Sequence, residues 1–283
     1  MKKIKLLFLF LPLSLFSQDD LLNEIDTDST GTEYADSAFK ALKIVNFEST
    51  KLAAKKDFFF VVSHRFGSIK GGFKELFGLD QSVTRLHFIY GLSDGINLGV
   101  SRSAFQKTYE FSGKYRLVRQ KKENGSPVTV VGFNSISINT LLDDDVFPNL
   151  EFGDRLGFTS QVLISRKFNK KLSLQLIPTL LHENLVDNPL QDNTQFILGF
   201  GGRHKISKRV SVNIDYGLHF NRENTDVFRD PLSIGFDIET GGHVFQVHFS
   251  NAQPSFERGY LTQAAGDWGD GDIFFGFNLS RVF

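Results

Sequence analysis

The sequence predicts an antiparallel up-and-down transmembrane β-barrel of about 12 strands, and three observations support it. Apolar and polar residues alternate with period two through segments of about ten residues, the length of a tilted strand crossing a bilayer. The connections between those segments alternate between short turns and long polar loops, as barrel rims do. The chain ends on a strand whose last residue, Phe283, is aromatic. Composition agrees with an all-β chain. It has 31 Phe and 25 Gly against one Met and one Trp in 283 residues, with 41% hydrophobic and 23% charged residues. That is too apolar for a disordered chain and rich in strand formers.

The N-terminus sets the compartment. Lys2, Lys3 and Lys5 precede an apolar run from Leu6 to Phe16 that ends at Ser17. This is the layout of a cleaved secretory signal peptide over residues 1–17, too short to span a membrane as a helix. Residues 18–56 read as an acidic, polar periplasmic lead segment, opening with Asp19, Asp20, Glu24, Asp26, Asp28, Glu33 and Asp36. A docking tail or a small plug for the barrel is the functional alternative for the acidic part, Asp19 to Asp36. The barrel itself is expected over 57–283.

Its strands fall in order at 57–66, 82–92, 96–104, 108–119, 127–138, 155–168, 172–182, 194–206, 210–220, 232–239, 243–250 and 272–283. In the fourth, Tyr109, Phe111, Tyr115 and Leu117 alternate with Glu110, Ser112, Lys114 and Arg116. In the ninth, Val210, Val212, Ile214, Tyr216, Leu218 and Phe220 alternate with Ser211, Asn213, Asp215, Gly217 and His219. In the tenth, Leu232, Ile234, Phe236 and Ile238 alternate with Ser233, Gly235, Asp237 and Glu239. A soluble sandwich shows the same alternation, so the connections decide between the two. Ser93-Asp94-Gly95, 121–126, 169–171, 207–209 and 240–242 are short; 67–81, 139–154, 183–193, 221–231 and 251–271 are long. Only the link near Gln106 is short where a long one is due. An even strand number then puts both chain ends on the short-turn, periplasmic rim. Phe66, Tyr90, Tyr109, Phe168 and Phe220 lie near strand ends, where aromatic girdles meet the membrane interfaces.

Several short stretches also carry a family likeness: His64-Arg65-Phe66-Gly67, Glu75 to Asp80, Tyr90-Gly91 with Asp94, Arg102, Gly113-Lys114-Tyr115, and Glu239-Thr240-Gly241-Gly242-His243-Val244-Phe245-Gln246. Together they resemble a membrane-bound β-barrel family of Bacteroidetes-type bacteria, over roughly residues 45 to 283. The resemblance implies a barrel in the cell outer membrane and brings no activity, ligand or catalytic residue with it.

Residue chemistry narrows the function. Lys+Arg 32 balance Asp+Glu 32, which argues against a nucleic-acid binder. With no cysteine, disulfides, thiolate metal sites and a catalytic thiol are excluded. His243 and His248, five apart on one strand, face opposite sides. Ser63 and His64 are adjacent and cannot form a nucleophile–base pair. No Gly-x-Ser-x-Gly elbow or phosphate-cradling loop is present. The reading is a non-enzymatic barrel without a cofactor.

By strand phase, the lumen receives Arg65, Arg85, His87, Lys114, Arg116 and Arg155 on one side, with Glu110 as the exception, and Asp215, Asp237 and Glu239 on the other. His219, Gln246 and His248 add polar lining. A basic wall facing an acidic one suggests a narrow water-filled passage for small polar or anionic solutes. The competing reading is that these charges pair across the lumen and fill it. A closed structural or binding barrel would then act through its extracellular loops, such as 141–154 with its acidic Asp143-Asp144-Asp145, or 251–271. Expected partners are outer-membrane lipid, the barrel-assembly machinery through the strand ending in Phe283, and small solutes.

Overall fold

The computed structural model describes residues 33–143, 145–186, 188–223, 227–240 and 243–283. The expected signal peptide, and the lead segment up to residue 32, lie outside the described residues. Twelve strands form one closed antiparallel barrel, each paired with its sequence neighbours, and the last paired with the first. They are β1 Phe58–Ser68, β2 Ser82–Ser93, β3 Ile96–Ser103, β4 Tyr109–Val118, β5 Thr129–Ile138 and β6 Leu156–Lys167. They continue as β7 Leu172–Glu183, β8 Thr194–Lys205, β9 Val210–His219, β10 Leu232–Thr240, β11 His243–Ser250 and β12 Phe274–Val282. Each lies within two residues of its expected position, because period-two alternation sets strand phase locally. The seam closes through Phe59↔Val282 to Arg65↔Gly276. Phe283 and Phe58 exchange backbone hydrogen bonds at its end.

The outer face is apolar. Phe88, Tyr90, Leu98, Phe111, Leu174, Leu180, Phe196 and Phe200 all point outward and are exposed. In water such a belt would be an unusual liability, whereas hydrocarbon covers it in a transmembrane barrel. No helix among the described residues is long and apolar enough to cross a membrane; the strands do the crossing.

The lumen is where sequence and structure part. Residues 38–54, expected to lead into the barrel, lie inside it. Residues 33–36 rest on the turn between β4 and β5, where Tyr34 bridges Lys121 and the Ala35 amide donates to the Gln120 carbonyl at 2.9 Å. The chain then enters the lumen, reverses in a tight turn where the Ile44 amide donates to the Phe47 carbonyl (2.8 Å), and leaves beside Gly91. Phe39, Ile44, Val45, Asn46 and Phe47 are no more than 1% exposed. The reason is hydrophobic: Phe39, Leu42, Ile44, Val45, Phe47 and Leu52 give this stretch an apolar surface that a solvated lead would leave in water.

A second wedge descends from the long-loop rim. The connection from β11 to β12 folds inward and carries α1, Glu257–Thr262, with all six residues buried. Phe47 and Tyr260 meet edge to face with ring centroids 4.9 Å apart. Against the two wedges the barrel turns an apolar strip from β5 to β8: Val131, Phe133, Leu163, Ile177, Leu181 and Ile197, each at most 3% exposed. Part of the lumen is therefore a packed core.

Gly199 and Gly217 hollow the facing wall. A Cβ at Gly199 would sit 2.6 Å from the Phe47 ring, and one at Gly217 2.8 Å from it. Any side chain there would displace the ring.

Candidate functional site

The polar half of the lumen holds most of the candidate residues, and the structure gives most of the charged ones a local partner, while the buried His248 ring has none among the described residues. Asp215 of β9 sits under the turn of the N-terminal wedge. One of its oxygens accepts the backbone N–H groups of Val45 (2.9 Å), Asn46 (2.8 Å) and Phe47 (3.1 Å). Three converging amides make a small anion nest, the arrangement that suits a buried carboxylate. Gln246 of β11 donates to the Ile44 carbonyl (3.0 Å) and to Asp237 (2.8 Å). Arg65 of β1 donates to the side-chain carbonyls of Asn46 and Asn278, each at 3.0 Å.

Beside this anchor lies a cluster of three cations and three carboxylates drawn from three parts of the chain. Glu48 of the wedge pairs with Lys43 of the wedge (3.0 Å) and with Lys114 of β4 (2.5 Å). Lys43 reaches Glu257 of α1 at 2.5 Å. Arg85 of β2 holds Glu110 of β4 at 2.6 Å and lies 3.9 Å from Glu257. It also donates to the Ser255 carbonyl at 2.7 Å. Lys114 further donates to the carbonyls of Leu42, Ser49 and Lys51. Buried charges are tolerable only when paired and hydrogen-bonded in this way.

The other expected lumen residues are placed as follows. His87 is buried in the wall near this cluster. His219 bonds Gln195 at 2.8 Å. His248 is packed beside Gly276, which also abuts Arg65. Glu239 pairs with Arg203 at 2.8 Å. Arg116 is half-buried near the short-turn rim, and Arg155 is half-buried near the loops, donating to the Leu142 carbonyl at 2.8 Å. The expected basic wall facing an acidic wall across water is corrected here. The charges pair with immediate neighbours and with the wedges, because two wedges occupy the space between the walls.

Lys43 and Glu48 lie outside the spanning strands. Burial alone would lower the lysine and raise the carboxyl. Glu257 and Glu48 outweigh it for Lys43, whose pKa is raised, while Lys114 and Lys43 hold Glu48 well below the usual carboxylate range. The groups facing them are Arg85, His87, Glu110, Lys114, Glu257 and Tyr260. The raised lysine contributes stability below its unfolded pKa of about 10.4 and loses it as pH rises further; the lowered carboxylate contributes above about 4.3 and loses it as pH falls. Resistance of residues 39–52 of the folded barrel to proteolysis is therefore expected to hold at neutral pH and to weaken as pH falls below about 4.3. Resistance that rises on acidification would mean that the ionised Glu48 does not hold the wedge.

Sequence reasoning missed Lys43, Asn46, Glu48, Glu257, Tyr260 and Arg203. The available signal was the density of apolar residues between Phe39 and Leu52, and Phe256, Tyr260 and Leu261 inside an otherwise polar loop.

On the long-loop side, between the ends of β9 and β10 and the β11–β12 connection, lies an open pocket of about 460 Å³. Tyr216, Phe228, Arg229, Asp230, Asp267 and Trp268 are among its lining residues. Tyr216 donates to Asp230 at 2.9 Å, Arg229 approaches Asp267 at 3.4 Å, and the Trp268 indole donates to the Leu232 carbonyl at 3.0 Å. A smaller cavity of about 100 Å³ shares Arg222 and Phe228 with it. Arg222 donates to the Leu261 and Thr262 carbonyls at the end of α1, tying these cavities to the inward wedge.

No curated protein matches the chain in sequence. Among solved structures, the NanC porin is similar at a TM-score of 0.50 and 9% identity, over 80% of this chain and 98% of that one. The KdgM porin in complex with disordered oligogalacturonate is similar at a TM-score of 0.50 and 8% identity, over 80% of this chain and 99% of that one. At such identities the likeness concerns the fold. Residues 39–283 match the family described as membrane bound beta barrel domain (DUF5777). The match begins where the chain enters the lumen, so the N-terminal wedge falls within the domain. The chain belongs to this family of membrane-bound β-barrel domains.

Proposed function

We propose that this protein is an outer-membrane barrel, closed at rest, that binds a small polar solute at its long-loop face. Of the two functions the sequence left open, this is the binding barrel rather than the standing pore. The observation that carries it is the filled lumen: Phe47 and Tyr260 meet in the middle, and apolar wall residues pack on both wedges. An outer-membrane location is supported by the short turns on one rim, the long loops on the other, and the apolar outer belt. The lipid of that membrane and the machinery that inserts barrels, reading the strand that ends in Phe283, are its proposed partners.

The loop-side cavity brings aromatic faces together with Arg229, Asp230 and Asp267, which suits a hydroxylated or acidic small molecule. Trp268 is the single tryptophan of the chain, so its emission reports on that cavity alone. In a planar bilayer the signal-free protein is expected to be electrically silent. Titration with oligogalacturonate as an acidic probe, and with a neutral oligosaccharide of equal length, is expected to shift Trp268 emission saturably with at least one of them. Steady open steps from the unaltered protein would overturn the closed reading, and no response to either sugar would remove sugars as the ligand class.

A further inference from the structure

We propose that the N-terminal wedge is a withdrawable stopper, latched by the six-charge cluster, and that the barrel conducts once it has left. This rests on the reading of the lumen as closed at rest. The first argument is topological. The wedge enters and leaves the lumen at the short-turn rim, between the β4–β5 turn at Gln120 and the β2–β3 turn, where Lys56 donates to Gly91. A segment that goes in and out by one rim can be pulled back without threading. The wedge takes no part in the strand pairing: β1 pairs directly with β12, and the ring of strands closes without any wedge residue.

The second argument is the nature of the seal. Outside the apolar strip, the wedge is held by discrete polar contacts: the Asp215 nest, Lys114 on Glu48, Gln246 on Ile44, Gln175 on Thr50 (3.0 Å), and the Thr50 and Ser165 hydroxyls at 2.6 Å. No wedge residue joins a strand of the wall in a ladder. Each polar contact has an aqueous substitute once the wedge moves out, whereas a sheet ladder would have to be unzipped as a unit.

The third argument is the placement of Glu48 and Glu257. Glu48 joins wedge to wall through Lys114, and Lys43 joins wedge to α1 through Glu257. The same few groups hold both wedges at their meeting point. Losing the Glu48 carboxylate leaves Lys114 buried without a carboxylate partner in the closed state, while Lys43 keeps Glu257; in the open state water solvates the Lys114 ammonium. Removing a charge there therefore shifts the balance toward open. The departing wedge uncovers a polar surface on β1–β4 and β9–β11, lined by Arg65, Arg85, Lys114, Asp215 and Asp237, and also its side of the apolar strip of β5–β8, whose exposure to water is the cost of opening.

The test uses the absence of native cysteine. Glu48→Gln is expected to raise open probability on the order of a hundred-fold, the equilibrium equivalent of stranding a buried charge. Adding Thr50→Cys and Ser165→Cys places two thiols where hydroxyls already lie 2.6 Å apart. The oxidised triple variant is expected to be silent and to conduct after reduction. Heat-modifiable gel mobility establishes for each variant that the barrel has folded. A folded Glu48→Gln barrel that stays silent overturns the latch. Conductance that persists through the oxidised cross-link overturns the wedge as the stopper. If the unaltered protein already conducts, the closed reading fails, and that outcome is distinct from both.

Discussion

Replacing Asp215 by Ala is expected to unseat the N-terminal wedge while leaving the barrel closed on itself. One carboxylate oxygen serves the amides of Val45, Asn46 and Phe47, and these residues are 0–1% exposed. Without it, three buried N–H groups lose their shared carboxyl acceptor, at a cost of about 3–5 kcal/mol to the seated state. Asp215→Asn keeps an acceptor oxygen and removes the charge, so its loss should be about half as large. The measurement is hydrogen exchange of the amides of residues 44–48 in detergent micelles, with strand amides as the internal standard. Strand protection should hold while wedge protection collapses. Equal protection of the 45–47 amides in Asp215→Ala and in the unaltered protein would show that the nest does not anchor the turn.

Phe47→Ala is expected to be the most damaging single truncation in the lumen. Its ring is fully buried, lies edge to face on Tyr260 at 4.9 Å, and fills the hollow left by Gly199 and Gly217. Truncating a buried phenylalanine costs about 3–5 kcal/mol, and here the loss falls where the two wedges meet. The reciprocal change, Gly217→Val, leaves Phe47 intact and fills its seat from the wall. Both should expose residues 39–52 to limited proteolysis by chymotrypsin, and both should lower the temperature at which the wedge melts. A wedge as resistant as that of the unaltered protein in both variants would mean that its packing is not centred on this ring.

How much of this was legible in the sequence follows from the range of each interaction. Strand positions were readable because alternation is local: Val210 to His219 reveals its two faces within one segment. The inward phase of Arg85, Lys114, Asp215 and Gln246 was readable for the same reason. Their partners were not. Lys43 and Glu257 are 214 positions apart, and Arg85 and the Ser255 carbonyl are 170 apart. Nothing local records such a pairing.

A further sign was present and is clear only in hindsight. Strands β5 to β8 break their alternation with apolar neighbours at Val130-Val131, Val162-Leu163-Ile164, Leu176-Ile177, Leu180-Leu181 and Ile197-Leu198. A wall apolar on both faces needs something dry on its inner side, since water alone would not cover it favourably. The apolar residues between Phe39 and Leu52 were the matching half. Joining the two requires knowing that the barrel closes around that stretch.

The sequence by itself determined the fold class, a barrel of about twelve strands with a turn rim and a loop rim, because a period of two shows strands without reference to the rest of the chain. Only the tertiary structure decided that the lumen is filled, that its charges pair locally, and that two wedges meet at Phe47 and Tyr260. Ring closure brings residues from opposite ends of the chain to one axis, and whether that axis holds water or protein depends on contacts no single segment encodes.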